Sequence, residues 1–174
     1  MHDIDWAYFA LALARVWLGI MIFAHGWRHL QVTRAGPGIA NWFDGLGLKP
    51  GPLHAWNVTL TELGVGVVLV LGFLTPVSYG ALASLMLVAA ITNHRKNGFF
   101  INNKPEGWEY VVTVAVVSVA LGALGPGNWS LDHAFGFSFP FETRNALLIT
   151  AAVAIGGTAA FLAAFWRPPR DAAT

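Results

Sequence analysis

His25 and His29 stand four residues apart, a spacing that puts both imidazoles on one face of a helix. A third histidine, His94, closes a later apolar stretch, and Glu109 and Tyr110 open the next one. If those stretches are helices crossing a membrane, all five groups reach one depth. An imidazole changes charge near neutral pH, a carboxylate accepts and a phenol donates, so the set could hold and pass protons. That chemistry suits a quinone, whose ring oxygens need such partners. Trp27, Trp42, Phe99, Phe100 and Trp108 could wall its ring. The same residues serve other readings. His25 and His94 could be the axial pair of a haem b, although their spacing is not diagnostic. Metal ligation by His and Glu has no tight ligand motif behind it, and no metal site is assigned. A histidine at a membrane boundary is also commonly a hydrogen-bonded group and nothing more.

Two further charges lie deep in apolar stretches, where lipid tolerates them poorly. Arg15 is nine residues past Trp6, roughly 13 Å along a helix. Glu62 is six residues past Trp56, roughly 9 Å from the opposite boundary. In a hydrocarbon core about 30 Å thick, the remaining gap of about 8 Å is one that two long side chains nearly span. An Arg15–Glu62 pair is therefore expected, with Asp132 as the competing partner for Arg15. The plainer alternative is a pair that only fixes helix registry.

The elements that must position these groups follow from composition. Hydrophobic residues make up 56% of the 174 and charged residues 11%, against about 25% charged in soluble domains. One integral membrane domain is implied. Five segments meet the length of about 20 mostly apolar residues that a crossing needs: 6–30, 56–74, 76–94, 108–124 and 146–166. The first is kept as a membrane helix rather than a cleavable signal, because Asp3 and Asp5 precede it instead of lysines or arginines. Thr75-Pro76 alone separates the second and third, which predicts a tight antiparallel hairpin.

Of the 10 lysines and arginines, all but Arg15 and Arg144 fall at one set of helix ends. They are Arg28, Arg34, Lys49, Arg95, Lys96, Lys104, Arg167 and Arg170. That asymmetry puts the N-terminus outside and the C-terminus in the cytoplasm. Among the connections, 38–48 spaces Ile39, Trp42, Phe43 and Leu46 as a short amphipathic helix, expected at the interface. The segment 97–103 could dip toward the bundle mouth. On the other side, 125–132 is a turn-rich cap leading into the aromatic run 135–141. In the last helix Ala152, Gly156 and Ala160 form a small-residue stripe, suited to packing or to another subunit.

Exclusions are equally firm. With no cysteine, the chain can hold no Fe-S cluster, no c-type haem and no thiolate nucleophile of its own. A net charge of +1 gives no reason to expect nucleic acid.

Arg15-x3-Gly19-x3-Phe23-x-His25-Gly26, Glu62-Leu-Gly-x-Gly66 leading to Leu71-Gly72-Phe-Leu-Thr75, Gly107-x-Glu109-Tyr110 and Gly125-x-Gly127-x2-Ser130-Leu131-Asp132 occur in that order. Together they resemble the DoxX family of bacterial membrane proteins, from about Arg15 to Asp132. The resemblance implies an all-α integral membrane protein of the bacterial inner membrane: a four-helix transmembrane bundle, here with a fifth C-terminal transmembrane helix as an extension. It also implies kinship with the DoxD subunit of thiosulfate:quinone oxidoreductase and with membrane partners of thiol and oxidative-stress enzymes. Arg15, His25, Glu62, Glu109, Tyr110 and Asp132 match its pattern.

The expectation is a redox-linked subunit binding a quinone near the cytoplasmic end. His25 and Glu109 would exchange protons with the ring oxygens, aided by Glu62 and Tyr110. His29, His94, Trp27 and Trp108 would line the cofactor site, and Arg15 with Glu62 or Asp132 would set the buried electrostatics. A protein partner or homo-oligomer is expected, because no electron carrier is evident in the chain. The rivals are a non-catalytic anchor or assembly factor, and a small proton or anion transporter using Arg15.

Overall fold

Gly72 and Pro76 cut the longest apolar stretch in two, and the backbone turns where they stand. The computed structural model describes residues 3–137 and 143–169; Arg170 and the end of the 135–141 aromatic run lie outside them. Helix α1 is Asp3–Ala35, the short α2 is Gly38–Gly45, and α3 is Gly51–Leu71. Gly72 ends α3 in the left-handed conformation at φ 66°, which a residue with a side chain adopts at a cost. Helix α4, Thr75–Ala89, then starts at once and runs into a π turn, Ala90–His94. Helix α5 is Glu109–Leu124 and α6 is the single turn Leu131–Ala134. Helix α7, Thr143–Ala151, continues through a second π turn, Ala152–Gly156, into α8, Gly157–Phe165.

Among the described residues, four helices are long and apolar enough to cross a bilayer: Trp6–Ala35, Gly51–Leu71, Thr75–His94 and Arg144–Phe165. The chain is a multi-pass membrane protein. Helix α5, expected as another crossing, has 16 residues, or about 24 Å at 1.5 Å each, short of the core's thickness.

Helices α1 and α3 run antiparallel at close range because glycines meet there. A β-carbon on Gly19 would lie 2.8 Å from the Gly66 carbonyl oxygen, and one on Gly66 would lie 2.7 Å from Phe23 Cβ. Small residues permit such backbone approach inside lipid, where no hydrophobic gain holds helices together. Helix α4 is the centre, with half of its span buried, and it touches α3, α5 and the C-terminal rod.

The rod packs on α4 through Ala146, Thr150, Ala154 and Thr158, four apart and all buried. Each threonine hydroxyl lies within hydrogen-bond distance of the carbonyl four residues back, Ala146 at 2.9 Å and Ala154 at 2.6 Å. Both also reach across to α4, Thr150 Oγ1 to the Pro76 carbonyl at 3.1 Å and Thr158 Oγ1 to Ser84 Oγ at 3.2 Å, so the face is both small and hydrogen-bonded. The stripe Ala152, Gly156 and Ala160 turns outward and stays exposed.

A second, smaller core gathers Ala40, Phe43, Leu48 and Ala55 with Phe161 and Trp166. Helix α2 therefore lays its apolar face on protein, although Trp42 remains exposed. The chain end is strapped to it: Trp166 Nε1 donates to the Leu46 carbonyl at 3.0 Å and Arg167 N donates to the Gly47 carbonyl at 2.8 Å.

Candidate functional site

Two buried polar centres form at opposite ends of α3. The first surrounds Arg15, which is only 3% exposed. Its guanidinium donates from Nη1 to the Pro126 carbonyl at 2.6 Å and from Nη2 to the Trp129 carbonyl, leaving Nε without a partner. Beside it, Asp132 accepts from the amides of Leu74 at 2.7 Å and Thr75 at 2.8 Å. These are the first amides of α4, where helix geometry leaves donors unsatisfied and favours negative charge. Asp132 N in turn donates to the Gly72 carbonyl at 3.0 Å. Ser130 holds the turn by donating to the Gly127 carbonyl and accepting from His133 N. The two glycine-rich motifs, 71–75 and 125–132, are thus a clasp. Asp132 and Tyr79 both lie close enough to act electrostatically on Arg15.

The expected Arg15–Glu62 pair does not form. Along α1, Gly19 faces Gly66 and Val70, while Gly26 faces Glu62 and Leu63. Glu62 is therefore level with Gly26, eleven residues or about 16 Å from Arg15. The expectation failed because Trp6 and Trp56 do not mark helix ends: α1 runs to Ala35 and α3 begins at Gly51.

Glu62 belongs to the second centre, a cavity of about 860 Å³ walled by α1 through α5 and by α8. His25, His29, Glu62, His94 and Tyr110 all line it. Tyr110 Oη donates to Met21 Sδ at 3.2 Å and lies 3.4 Å from His25 Nε2, with the two rings stacked at 6.1 Å. Glu62 Oε2 lies 3.9 Å from His29 Nε2. That oxygen is buried without a hydrogen bond, and so is His29 Nδ1. His25 lines the cavity and is itself exposed. His94 is engaged elsewhere, its Nδ1 at 2.9 Å from the Glu106 carbonyl and its Nε2 at 3.2 Å from Asn93 Nδ2.

Besides Arg15 and Asp132, three of the expected site residues stand apart from the cavity. Glu109 uses Oε2 to accept from Ile101 N at 3.1 Å and so ties the 97–108 loop. Trp108 packs edge-on against Phe99 at 4.7 Å, and Trp27 is more than half exposed on the outside of α1. Of the expected aromatic walls, Trp42 alone lines the space, joined by Phe43 and Phe161.

Sequence reasoning passed over His54, Asn57 and Thr61, which line the cavity together with Glu62. A signal was present. These positions recur at i, i+3, i+7 and i+8, a polar stripe on an otherwise apolar helix. His54 is 2% exposed, sits between Phe161 and Phe165 at 5.5 and 5.1 Å, and has no partner for either nitrogen.

The DoxX family model matches residues 10–95. Residues 10–95 form a DoxX family domain. No curated protein and no solved structure matches the chain. The DoxX domain covers most of α1 and all of α2, α3, α4 and the first π turn. It supplies Arg15, His25, His29, His54, Glu62 and His94. Tyr110, Asp132 and the α8 wall of the cavity come from beyond it.

Proposed function

We propose that this DoxX-domain protein binds a quinone in the cavity and works as a redox-linked membrane subunit with a partner protein. One observation carries the reading. A largely apolar space among membrane-spanning helices gathers His25, His29, Glu62 and Tyr110, and leaves a buried carboxylate oxygen and a buried imidazole nitrogen without partners. Its volume lies in the range of about 300–1,000 Å³ usual for ligand sites.

On reduction a quinone takes up two electrons and two protons, the protons at its ring oxygens. Tyr110 holds a proton at Oη, and His25 Nε2 is placed to exchange it. In the interior, Glu62 Oε2 and His29, 3.9 Å apart and not hydrogen-bonded to each other, leave room for a ring oxygen to engage them. Val58, Leu85 and Val88 supply aliphatic walls against which a ring can pack. The electrons come from the partner protein, since the chain has no cysteine and no cluster of three or more metal-ligating side chains among the described residues.

Haem b is a poor fit, because both nitrogens of His94 already have neighbours at hydrogen-bond distance. Arg15 offers little to an anion, since two carbonyls engage its guanidinium. The distribution of lysine and arginine supports α5 as a fifth crossing, in a bacterial inner membrane with the N-terminus outside. The cavity then opens toward the cytoplasmic half of the bilayer.

Solvent extraction of the purified protein tests this. Wild type should carry quinone in roughly molar amount and Glu62→Gln should not. A wild-type protein that neither retains quinone nor takes up added decyl-ubiquinone sinks the reading.

A further inference from the structure

We infer that His54 holds the second ring oxygen of the ligand, opposite Glu62, so that the site selects a ring oxygenated at both ends. This rests on the quinone reading and adds a residue to it. His54 and Glu62 line one continuous cavity, with Asn57, Val58 and Thr61 between them on the same helix. Eight residues separate them, about 12 Å of helix. The para oxygens of a quinone are about 5 Å apart, and a hydrogen bond of about 2.8 Å at each end brings the span to about 11 Å. Two side chains rooted that far apart on one helix can approach a ring from its two ends.

His54 itself asks for such a partner. An imidazole in either neutral form carries one N–H donor and one acceptor nitrogen. Both nitrogens of His54 are buried without a hydrogen bond, a costly state for a residue 2% exposed. Its ring is positioned by Phe43, Phe161 and Phe165, none of which can satisfy it. Packing alone would be served as well by a phenylalanine. The polar atoms are left over from packing, and the residue stands about two helical turns from Glu62, whose Oε2 is orphaned in the same way.

The test uses the full-length protein in lipid nanodiscs, titrated with decyl-ubiquinone and followed by tryptophan quenching. His54→Phe keeps the ring and loses the nitrogens. Its affinity should fall about tenfold, the equivalent of one hydrogen bond of about 1.4 kcal/mol. His54→Gln, which restores a donor, should recover most of that loss. Without ligand, His54→Phe should unfold at the wild-type temperature or above it. Equal affinity of wild type and His54→Phe, with Glu62→Gln impaired, overturns the His54 assignment and leaves the quinone reading standing. Absence of binding in wild type overturns both. A His54→Phe protein that fails to fold, or unfolds several degrees early without rescue by His54→Gln, overturns the assignment by showing that the apo fold needs the nitrogens.

Discussion

Arg15 and Glu62 are both ionisable, both buried and both inside membrane-spanning helices, yet the fold treats them in opposite ways. Arg15 meets two carbonyls, and the neighbouring Asp132 meets two amides, so that a loop and a helix start close on one another. Glu62 has an oxygen that meets nothing, facing a histidine too distant for a hydrogen bond. Charged groups whose partners are backbone atoms hold a structure together. Arg15 leaves only Nε over after two such bonds, whereas the buried Oε2 of Glu62 has none and lies beside a cavity. The contrast separates scaffold from site more sharply than residue type does, because both centres look equally functional in sequence.

The contrast can be broken most directly by Arg15→Met. It strips two carbonyls and a buried aspartate of their cation and should cost about 3–5 kcal/mol in a denaturant titration in detergent. A cost as small as that of Glu62→Gln would erase the distinction. Asp132→Asn comes next, weakening two charge-assisted bonds at the start of α4, with an expected loss of about 1.5–3 kcal/mol. Glu62→Gln should change stability by less than about 1 kcal/mol, because no hydrogen bond is lost at Oε2; a larger loss would place Glu62 in the scaffold. A double-mutant cycle between Arg15→Met and Glu62→Gln should be additive within about 0.5 kcal/mol, as for sites well separated. Strong coupling would revive the direct pair. The smallest effect belongs to Tyr110→Phe, under about 1 kcal/mol in stability, with its consequence visible in quinone binding instead.

Much of this arrangement was legible in the residues. The span helices, the turn at Gly72 to Pro76 and the family likeness follow from hydropathy, proline and glycine placement. Of the five groups expected at one depth, His25, His29, His94 and Tyr110 share one cavity, while the carboxylate that joins them is Glu62 and not Glu109. What the residues hid was register. The gap between Arg15 and Glu62 depends on which glycine meets which, and distance from a tryptophan carries no such information. His54 was hidden for a related reason: α3 starts at Gly51, ahead of the expected start at 56, so a residue assigned to a loop sits on the polar stripe. The contact face of the last helix was missed because its threonines are small enough to pack closely while their hydroxyls reach both their own helix and α4. Glu109 carried the right chemistry and an adjacent number, but its side chain is spent on Ile101 N.

The strap from Trp166 and Arg167 to the 46–48 turn makes the chamber a composite of two parts of the chain. A protein ended after residue 145 would keep the entire matched stretch, yet Gly80 and Ser84 of α4 would then face acyl chains. The ligand would find a trough in place of an enclosure. Proteins sharing only the 10–95 stretch can therefore share the polar floor of this chamber while differing in its wall, and with it in what they admit.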